Sequence, residues 1–215
     1  MGIDVAALLG LRLRTARLEL RLPTEAEIGE LADVARRGVH PPDRMPFAFA
    51  WTDTASSESF GDDFAAFHLG LRETWSPDAW TFECGVWADG RLVGAQGLNG
   101  VGFHHRRQVS SGSWLGRAFQ GNGYGTEMRA AILHLAFAGL GAEVAESGAL
   151  EGNAASERVS EKLGYARAGE RTVAPRGAPV REQIFRLDAA TWASSDRIAV
   201  AVVDLDPCLP LFGAT

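Results

Sequence analysis

The chain has 215 residues, a length that suits one domain with a buried core of its own. Hydrophobic residues make up 46% and charged residues 22%, as in ordinary globular proteins, and the net charge is −6 at pH 7. This acidic balance argues against nucleic acid as a partner, because neutralising phosphates requires clustered Lys and Arg. No segment reaches the roughly 20 apolar residues that span a membrane, and no Cys or His spacing indicates a metal site.

The two cysteines, Cys84 and Cys208, lie far apart in the sequence and indicate no disulfide framework. Cys84 falls within an apolar run, which is typical of a buried thiol rather than a nucleophile. The apolar run over residues 5–9 is too short for a signal peptide. Together these features favour the cytoplasm.

The first third of the chain predicts one strand and two helices. Residues 15–22 alternate as a strand does, with Leu18, Leu20 and Leu22 on one face. Thr24 and Glu27 form a capping-box pattern that opens a helix. A loop rich in proline and aromatic residues follows over residues 40–51, and helical spacing of phenylalanines predicts a second helix over residues 56–74.

The rest of the chain predicts strands and helices in alternation, and Asp89-Gly90 is typical of a tight hairpin turn. The predicted strands are residues 80–87, 91–98, 108–115, 143–150, from 165 onward, and 180–187, with a short tail strand over 198–205; the predicted helices are 124–138 and 154–163.

This order predicts an α/β (α+β) fold with a central mixed, mostly antiparallel twisted sheet of about seven strands and helices on both faces. We expect residues 1–192 to form the domain and residues 193–215 to be a C-terminal extension that packs on it.

A glycine-rich loop between a strand and a helix is the most informative segment. Its glycines permit positive φ angles, and the following helix offers free N–H groups and a favourable dipole, so the loop suits a pyrophosphate group. A P-loop is excluded, since no Gly-Lys-Ser/Thr follows. A dinucleotide site stays open, although Thr126 stands where a third glycine belongs and Glu143 or Glu146 would have to bind the ribose. A tight turn without a ligand is the third interpretation.

The spacing Gln120-x-x-Gly123-x-Gly125 resembles the acyl-CoA loop Q/R-x-x-G-x-G/A of the GNAT superfamily of N-acetyltransferases. Further blocks resemble the ribosomal-protein acetyltransferase (RimJ/RimL-like) branch and occur in the same order and spacing, over roughly residues 13–192 of the chain. These blocks are Arg14 to Arg21, Trp114-Leu115-Gly116, Glu127, Gly152 to Ser156 and Glu161 to Tyr165.

The resemblance implies acetyl-CoA as donor and no metal. Backbone groups of the strand before the loop would pair with the pantetheine arm, the loop amides would hold the pyrophosphate, and Asn153 would bind the pantetheine from the far side. An ordinary helix N-cap is the alternative role for Asn153. The implied cofactor-binding residues are Trp114, Leu115, Gln120, Gly121, Asn122, Gly123, Tyr124, Gly125, Thr126, Asn153 and Ser156.

The catalytic residues are less defined by the resemblance. Ser160 and Ser110 stand at positions where relatives often carry a Tyr acid and a Glu base. We therefore expect no single side chain to be an indispensable base. Ser156 is the candidate for supporting the leaving thiolate, and Glu83 and Glu146 are the candidate carboxylates for removing a proton from the amine.

The acceptor is expected near the loop over residues 40–51, where Asp43, Phe47 and Trp51 are candidate lining residues. The expected acceptor is an amine-bearing small molecule or a protein N-terminus. The alternative function is a non-catalytic acyl-CoA-binding regulatory domain, and a remote alternative is an NAD-dependent enzyme. A homodimer is a possible assembly.

Overall fold

The computed structural model describes residues 5–214. Nine strands within this range form one sheet, in the spatial order β7-β8-β6-β5-β4-β3-β2-β1-β9. All neighbouring strands are antiparallel except β5 and β6, which are parallel. The strands are β1 Arg12–Arg14, β2 Leu18–Arg21, β3 Ala79–Ala88, β4 Arg91–Val101, β5 Gln108–Leu115, β6 Val144–Leu150, β7 Ala166–Val173, β8 Val180–Asp188 and β9 Ala201–Val203.

Within residues 5–214, seven α-helices connect and cover these strands, together with short 3₁₀ segments. None of the helices within residues 5–214 is long and apolar enough to cross a bilayer. The helices are α1 Val5–Gly10, α2 Glu25–Arg36, α3 Phe60–Glu73, α4 Phe103–Arg106, α5 Tyr124–His134, α6 Ala154–Lys162 and α7 Ala189–Ser194.

Local sequence signals explain several of these boundaries. The Thr24 side chain accepts a hydrogen bond from the Glu27 amide, and the Glu27 side chain accepts one from the Thr24 amide, so the capping box is confirmed at the start of α2. Asp89 and Gly90 both have positive φ, at 50° and 73°, as the hairpin between β3 and β4 requires.

The predicted α+β class with one mixed, mostly antiparallel sheet is confirmed, and the sheet has nine strands where about seven were expected. Two sequence-based boundaries need correction. The strand predicted over residues 15–22 begins only at Leu18 and is paired with β1, because the Thr15 hydroxyl accepts the Leu18 amide at 3.0 Å in the turn between the two strands. The helix over 124–138 is α-helical only to His134 and continues as one π-helical turn, Leu135–Gly139.

A gap opens where β5 and β6 part. The two strands are paired from Gln108↔Val144 to Ser111↔Ser147 and no further. Beyond that point β5 follows β4 to Leu115, while β6 follows β8 to Leu150. The backbone of β5 after Ser111 therefore has no partner strand on the β6 side, and we call this opening the β5/β6 split. A mostly antiparallel sheet with such a split differs from the parallel sheet of dinucleotide-binding folds.

The C-terminal segment packs against the far edge of the sheet. Strand β9 pairs with β1, and Phe212 is fully buried. Two tryptophans donate to its backbone, from Trp75 Nε1 to the Leu211 carbonyl at 2.8 Å and from Trp80 Nε1 to the Phe212 carbonyl at 3.0 Å. These indoles thereby satisfy their polar groups while the rings stay in the core.

Candidate active site

The glycine-rich loop leads from β5 into α5 at the open end of the split. Gly121 and Gly123 have φ of +80° and +81°, a region that L side chains rarely adopt. A Cβ on Gly121 would meet nothing within 4 Å, so the space beside the loop is open. Helix α5 starts directly after Gly123, and the amides of its first turn face that space with the positive end of the dipole. The loop thus fits a diphosphate group.

The loop is braced by side chains rather than left to flex. Gln120 Nε2 donates to the carbonyls of Val39 at 2.7 Å and Leu115 at 2.8 Å, which ties the loop to β5 and to the segment after α2. Asn122 Nδ2 donates to the carbonyls of Phe119 and Gln120, each at 3.2 Å. Both side chains therefore shape the loop.

Arg17 is a residue of this site that sequence reasoning did not single out. Its Nε donates to Glu127 Oε2 at 2.7 Å and its Nη1 to the Asn122 carbonyl at 3.0 Å. The guanidinium also lies 5.0 Å from the Tyr124 ring centroid. Glu127 is 9% exposed and accepts from Thr15 Oγ1 as well. Arg17 is ion-paired with Glu127, and through its bond to the Asn122 carbonyl it holds the loop against the first turn of α5.

A cavity of about 240 Å³ lies on the opposite face of the sheet, next to the split. Its floor is glycine, since Gly97 of β4 and Gly112 of β5 are directly paired there. Its walls are aromatic. The lining residues are Phe47, Ala48, Phe49, Trp51, Glu83, Gly97, Asn99, Gly112, Ser113 and Trp114.

Glu83 is the titratable group of this cavity. It lies on β3 opposite Gly97, and a Cβ on Gly97 would overlap its carboxylate, so the glycine makes room for it. Burial raises the pKa of Glu83 from 4.5 to about 8. A carboxyl group with that pKa exchanges protons near neutral pH, which is what a general base requires.

Behind Glu83 lies a second, water-sized cavity of about 10 Å³, which His68, Thr81 and Arg72 also line. His68 is 4% exposed, and burial lowers its pKa to about 4, so the imidazole is neutral at pH 7. Its ring centroid lies 4.7 Å from that of Phe64. The surroundings of Glu83 thus include a neutral histidine rather than a second carboxylate.

Residues 38–54, which we call the lid loop, cover the 240 Å³ cavity. Phe47 and Trp51 line it, and their ring centroids are 5.3 Å apart. The loop is anchored across the cleft, because Arg176, in the turn between β7 and β8, makes two hydrogen bonds to Asp53 at 2.6 and 2.8 Å. Asp43 is exposed and is not among the lining residues.

Asn153 stands at the start of α6, facing the same cleft. Its Oδ1 accepts from the Ser156 amide at 3.2 Å, so it is an N-cap, and its Nδ2 reaches the Pro46 carbonyl of the lid loop at 3.4 Å. Ser156 is half-buried in the first turn of the same helix. The structure therefore places Asn153 against the lid loop, and Ser156 three positions further along the same helix.

The other sequence-based candidates lie elsewhere. Glu146 accepts from Arg186 Nε at 2.8 Å and from Gln108 Nε2 at 2.6 Å, and it does not line the cavity. Ser110 is exposed, whereas Ser160 is fully buried with no hydrogen-bond partner for its hydroxyl among the described residues. Within residues 5–214, no group of three or more His, Cys, Asp or Glu side chains is placed to hold a metal ion.

Known proteins share the family and the fold of this chain. A family model described as the acetyltransferase (GNAT) domain matches residues 17–166. RimJ of Mycobacterium smegmatis, solved with a CoA disulfide, is 16% identical with a TM-score of 0.67, covering 88% of this chain and 92% of that one.

Two further structures share the fold. RimL, a ribosomal α-N-protein acetyltransferase solved with coenzyme A, is 14% identical with a TM-score of 0.64, covering 82% of this chain and 97% of that one. The microcin C7 self-immunity acetyltransferase MccE, solved with acetyl-CoA and AMP, is 15% identical with a TM-score of 0.64, covering 80% of this chain and 93% of that one.

Proposed function

Because the chain belongs to the acetyltransferase (GNAT) domain family, we propose that it is an N-acyltransferase that moves a short acyl group from acyl-CoA to an amine. The observation that carries this proposal is the position of Glu83. Its carboxyl group lies in the 240 Å³ cavity beside the β5/β6 split, with a pKa of about 8.

The donor would bind through the glycine-rich loop and the split. The amides from Gly121 to Thr126 would hold the diphosphate, with the charge of Arg17 close by. The backbone of Trp114 and Leu115, which has no partner strand on the β6 side, would pair with the amides of the pantetheine arm. Gln120 supports this surface by holding the loop against β5.

The acceptor would occupy the cavity under the lid loop. Its aromatic walls, from Phe47, Trp51 and Trp114, suit an ammonium group before it loses its proton. Glu83 would then take that proton, since the glycine floor leaves room for the nitrogen beside it. This assignment replaces the sequence-based expectation that no single side chain serves as base, and it favours Glu83 over the ion-paired Glu146.

The reaction we propose is direct attack of the amine nitrogen on the thioester carbonyl carbon. A C–N bond forms and the C–S bond breaks. Of the two protons that the ammonium group loses, one passes to Glu83 and the other reprotonates the leaving thiolate. Ser156, in the first turn of α6, would supply the hydroxyl group that stabilises the leaving sulfur. Holding both reactants in one cleft supplies much of the rate enhancement.

Titration calorimetry followed by an amine screen tests this function. We expect acetyl-CoA to bind, and free thiol to be released only when a suitable amine is present. Glu83→Gln should keep donor affinity and lose amine-dependent thiol release by about 10²–10⁴-fold. Glu146→Gln is the matched control and should retain turnover. Donor binding without thiol release for any amine would instead support a non-catalytic acyl-CoA-binding domain.

A further inference from the structure

A buried guanidinium group closes the inner end of the β5/β6 split. Arg129 lies in the second turn of α5 and is 4% exposed. Its Nη1 donates to Ser147 Oγ on β6 at 2.7 Å, and its Nη2 donates to Ser113 Oγ on β5 at 3.1 Å. The side chain therefore bridges the two strands just beyond their last pair, Ser111↔Ser147.

The charge of Arg129 has no carboxylate to balance it. Among the described residues no Asp or Glu oxygen lies within ion-pair distance, and the Nε atom is buried without a hydrogen-bond partner. Glu127, the nearest acid along the helix, is paired with Arg17 instead. A buried cation that is held by hydroxyl groups alone is unfavourable, and an anion is the group that would stabilise it.

Further buried polar groups lie at the same place. Ser111 Oγ and Tyr165 Oη make no hydrogen bond of standard geometry among the described residues, although they lie close to each other and to Arg129. Tyr165 lies close enough to Arg129 for that charge to offset part of the rise that burial causes in the tyrosine pKa. The inner end of the split is thus lined with donors and is net positive.

This positive end lies on the path of the donor. Under the proposed function, the pantetheine arm runs along β5 from the glycine-rich loop towards Ser111, so the acyl group comes last and lies nearest to the junction of the strands. Ser113 links the two regions, because it accepts from Arg129 and also lines the acceptor cavity beside Gly112. The far end of an acyl chain is therefore the part of the donor that would meet the guanidinium.

We propose that Arg129 selects acyl donors whose chain ends in a carboxylate, such as malonyl-CoA or succinyl-CoA. The planar fork of a guanidinium matches a carboxylate, and the bond is strong where water is excluded. The transfer chemistry is unchanged: the thioester C–S bond breaks, the C–N bond forms, and the distal carboxylate keeps its charge throughout. The product is an amide with a free carboxylate in place of a cationic amine.

A donor comparison tests this inference, which rests on the proposed function. With one accepted amine, we expect kcat/KM for succinyl-CoA to exceed that for butyryl-CoA, an uncharged four-carbon acyl donor, by about 10–100-fold, the range of one charge-assisted hydrogen-bonded contact. Calorimetry should show tighter binding of succinyl-CoA as well. Equal values, or a preference for butyryl-CoA or acetyl-CoA, overturn the inference and leave the acyltransferase function standing.

Variants locate the preference. Arg129→Met conserves much of the side-chain volume and should abolish the preference for succinyl-CoA while butyryl transfer continues. Arg129→Lys keeps the charge without the fork and should retain only part of the preference. A preference for succinyl-CoA that survives in Arg129→Met overturns the role of this residue. If that variant does not fold, the comparison of donors by the wild type and by Arg129→Lys tests the inference instead. Failure of every acyl-CoA to react would refute the proposed function itself.

Discussion

Replacing Glu83 with glutamine removes a carboxyl group whose pKa burial raises from 4.5 to about 8. The folded protein keeps a proton on Glu83 over an interval of pH in which the unfolded chain has released it. The stability that this protonated form contributes is therefore complete below pH 4.5 and is lost as the pH rises towards about 8. At about 1.4 kcal/mol per unit of pKa shift, the free energy of unfolding falls over this interval by at most on the order of 5 kcal/mol. Glu83 borders an open cavity, so we expect a smaller loss.

Urea unfolding from pH 5 to pH 9 measures this effect. Glu83→Gln and the wild type should have nearly the same free energy of unfolding at pH 5; the variant should become increasingly the more stable protein as the pH rises towards 8, and the difference should level off above that pH. Glu27→Gln is the control, because its ion pair with Arg21 lowers the pKa of Glu27 to about 2. Its difference from the wild type should be a destabilisation that stays constant from pH 6 to pH 9. A difference for Glu83→Gln that does not change with pH would refute the buried, protonated carboxyl group.

The same residue sets the pH dependence of turnover. A base with a pKa of about 8 is active as the carboxylate, so kcat/KM should rise with pH through about 8 for acceptors of different basicity. In Glu83→Gln this rise of kcat/KM with pH should disappear together with most of the activity. If the pH at which kcat/KM rises shifts with the pKa of each acceptor amine, Glu83 does not remove the proton.

Three further outcomes are expected from the loop, the cap and the lid. Gly123→Val should remove CoA affinity, since the side chain strains a positive-φ position at the loop, whereas Gly141→Val, at a positive-φ position outside the loop, should leave calorimetric affinity intact. Asn153→Ala should cost about 1 kcal/mol of stability and also weaken CoA binding or turnover, while Asp188→Ala, which removes the cap of α7, should affect only stability in urea unfolding. Arg176→Ala should raise KM for the acceptor amine and leave the melting temperature nearly unchanged, because its contacts to the lid loop are exposed; an unchanged KM would contradict the anchoring role.

Structural features that depend on residues close together in the chain could be predicted from the sequence. The capping box at Thr24, the hairpin turn at Asp89-Gly90 and the bounds of β5 all depend on side chains within a few positions of one another. The glycine-rich loop belongs to the same class, since the glycines and the helix that follows them are contiguous. For that reason the family and the fold could be predicted before any coordinates.

Features that depend on register or on distant pairs were not readable. Arg176 and Asp53 are 123 residues apart, and only the folded chain shows that they anchor the lid loop. The sequence offered both Glu83 and Glu146 as candidate carboxylates, and only the register of the folded sheet shows that Glu146 lies opposite Arg186. Arg129 occupies a helical position that composition alone does not distinguish from a surface arginine, yet it is buried in the split.

Mass spectrometry of the acceptor, combined with assay of free CoA thiol, tests acyl transfer most directly. A panel of amines is incubated with acetyl-CoA or succinyl-CoA and either the wild type or Glu83→Gln. We expect at least one amine to gain the mass of the acyl group in equal amount to the thiol released, with the wild type and not with the variant. Thiol release without an acylated amine, or acylation that proceeds equally with Glu83→Gln, would contradict the account.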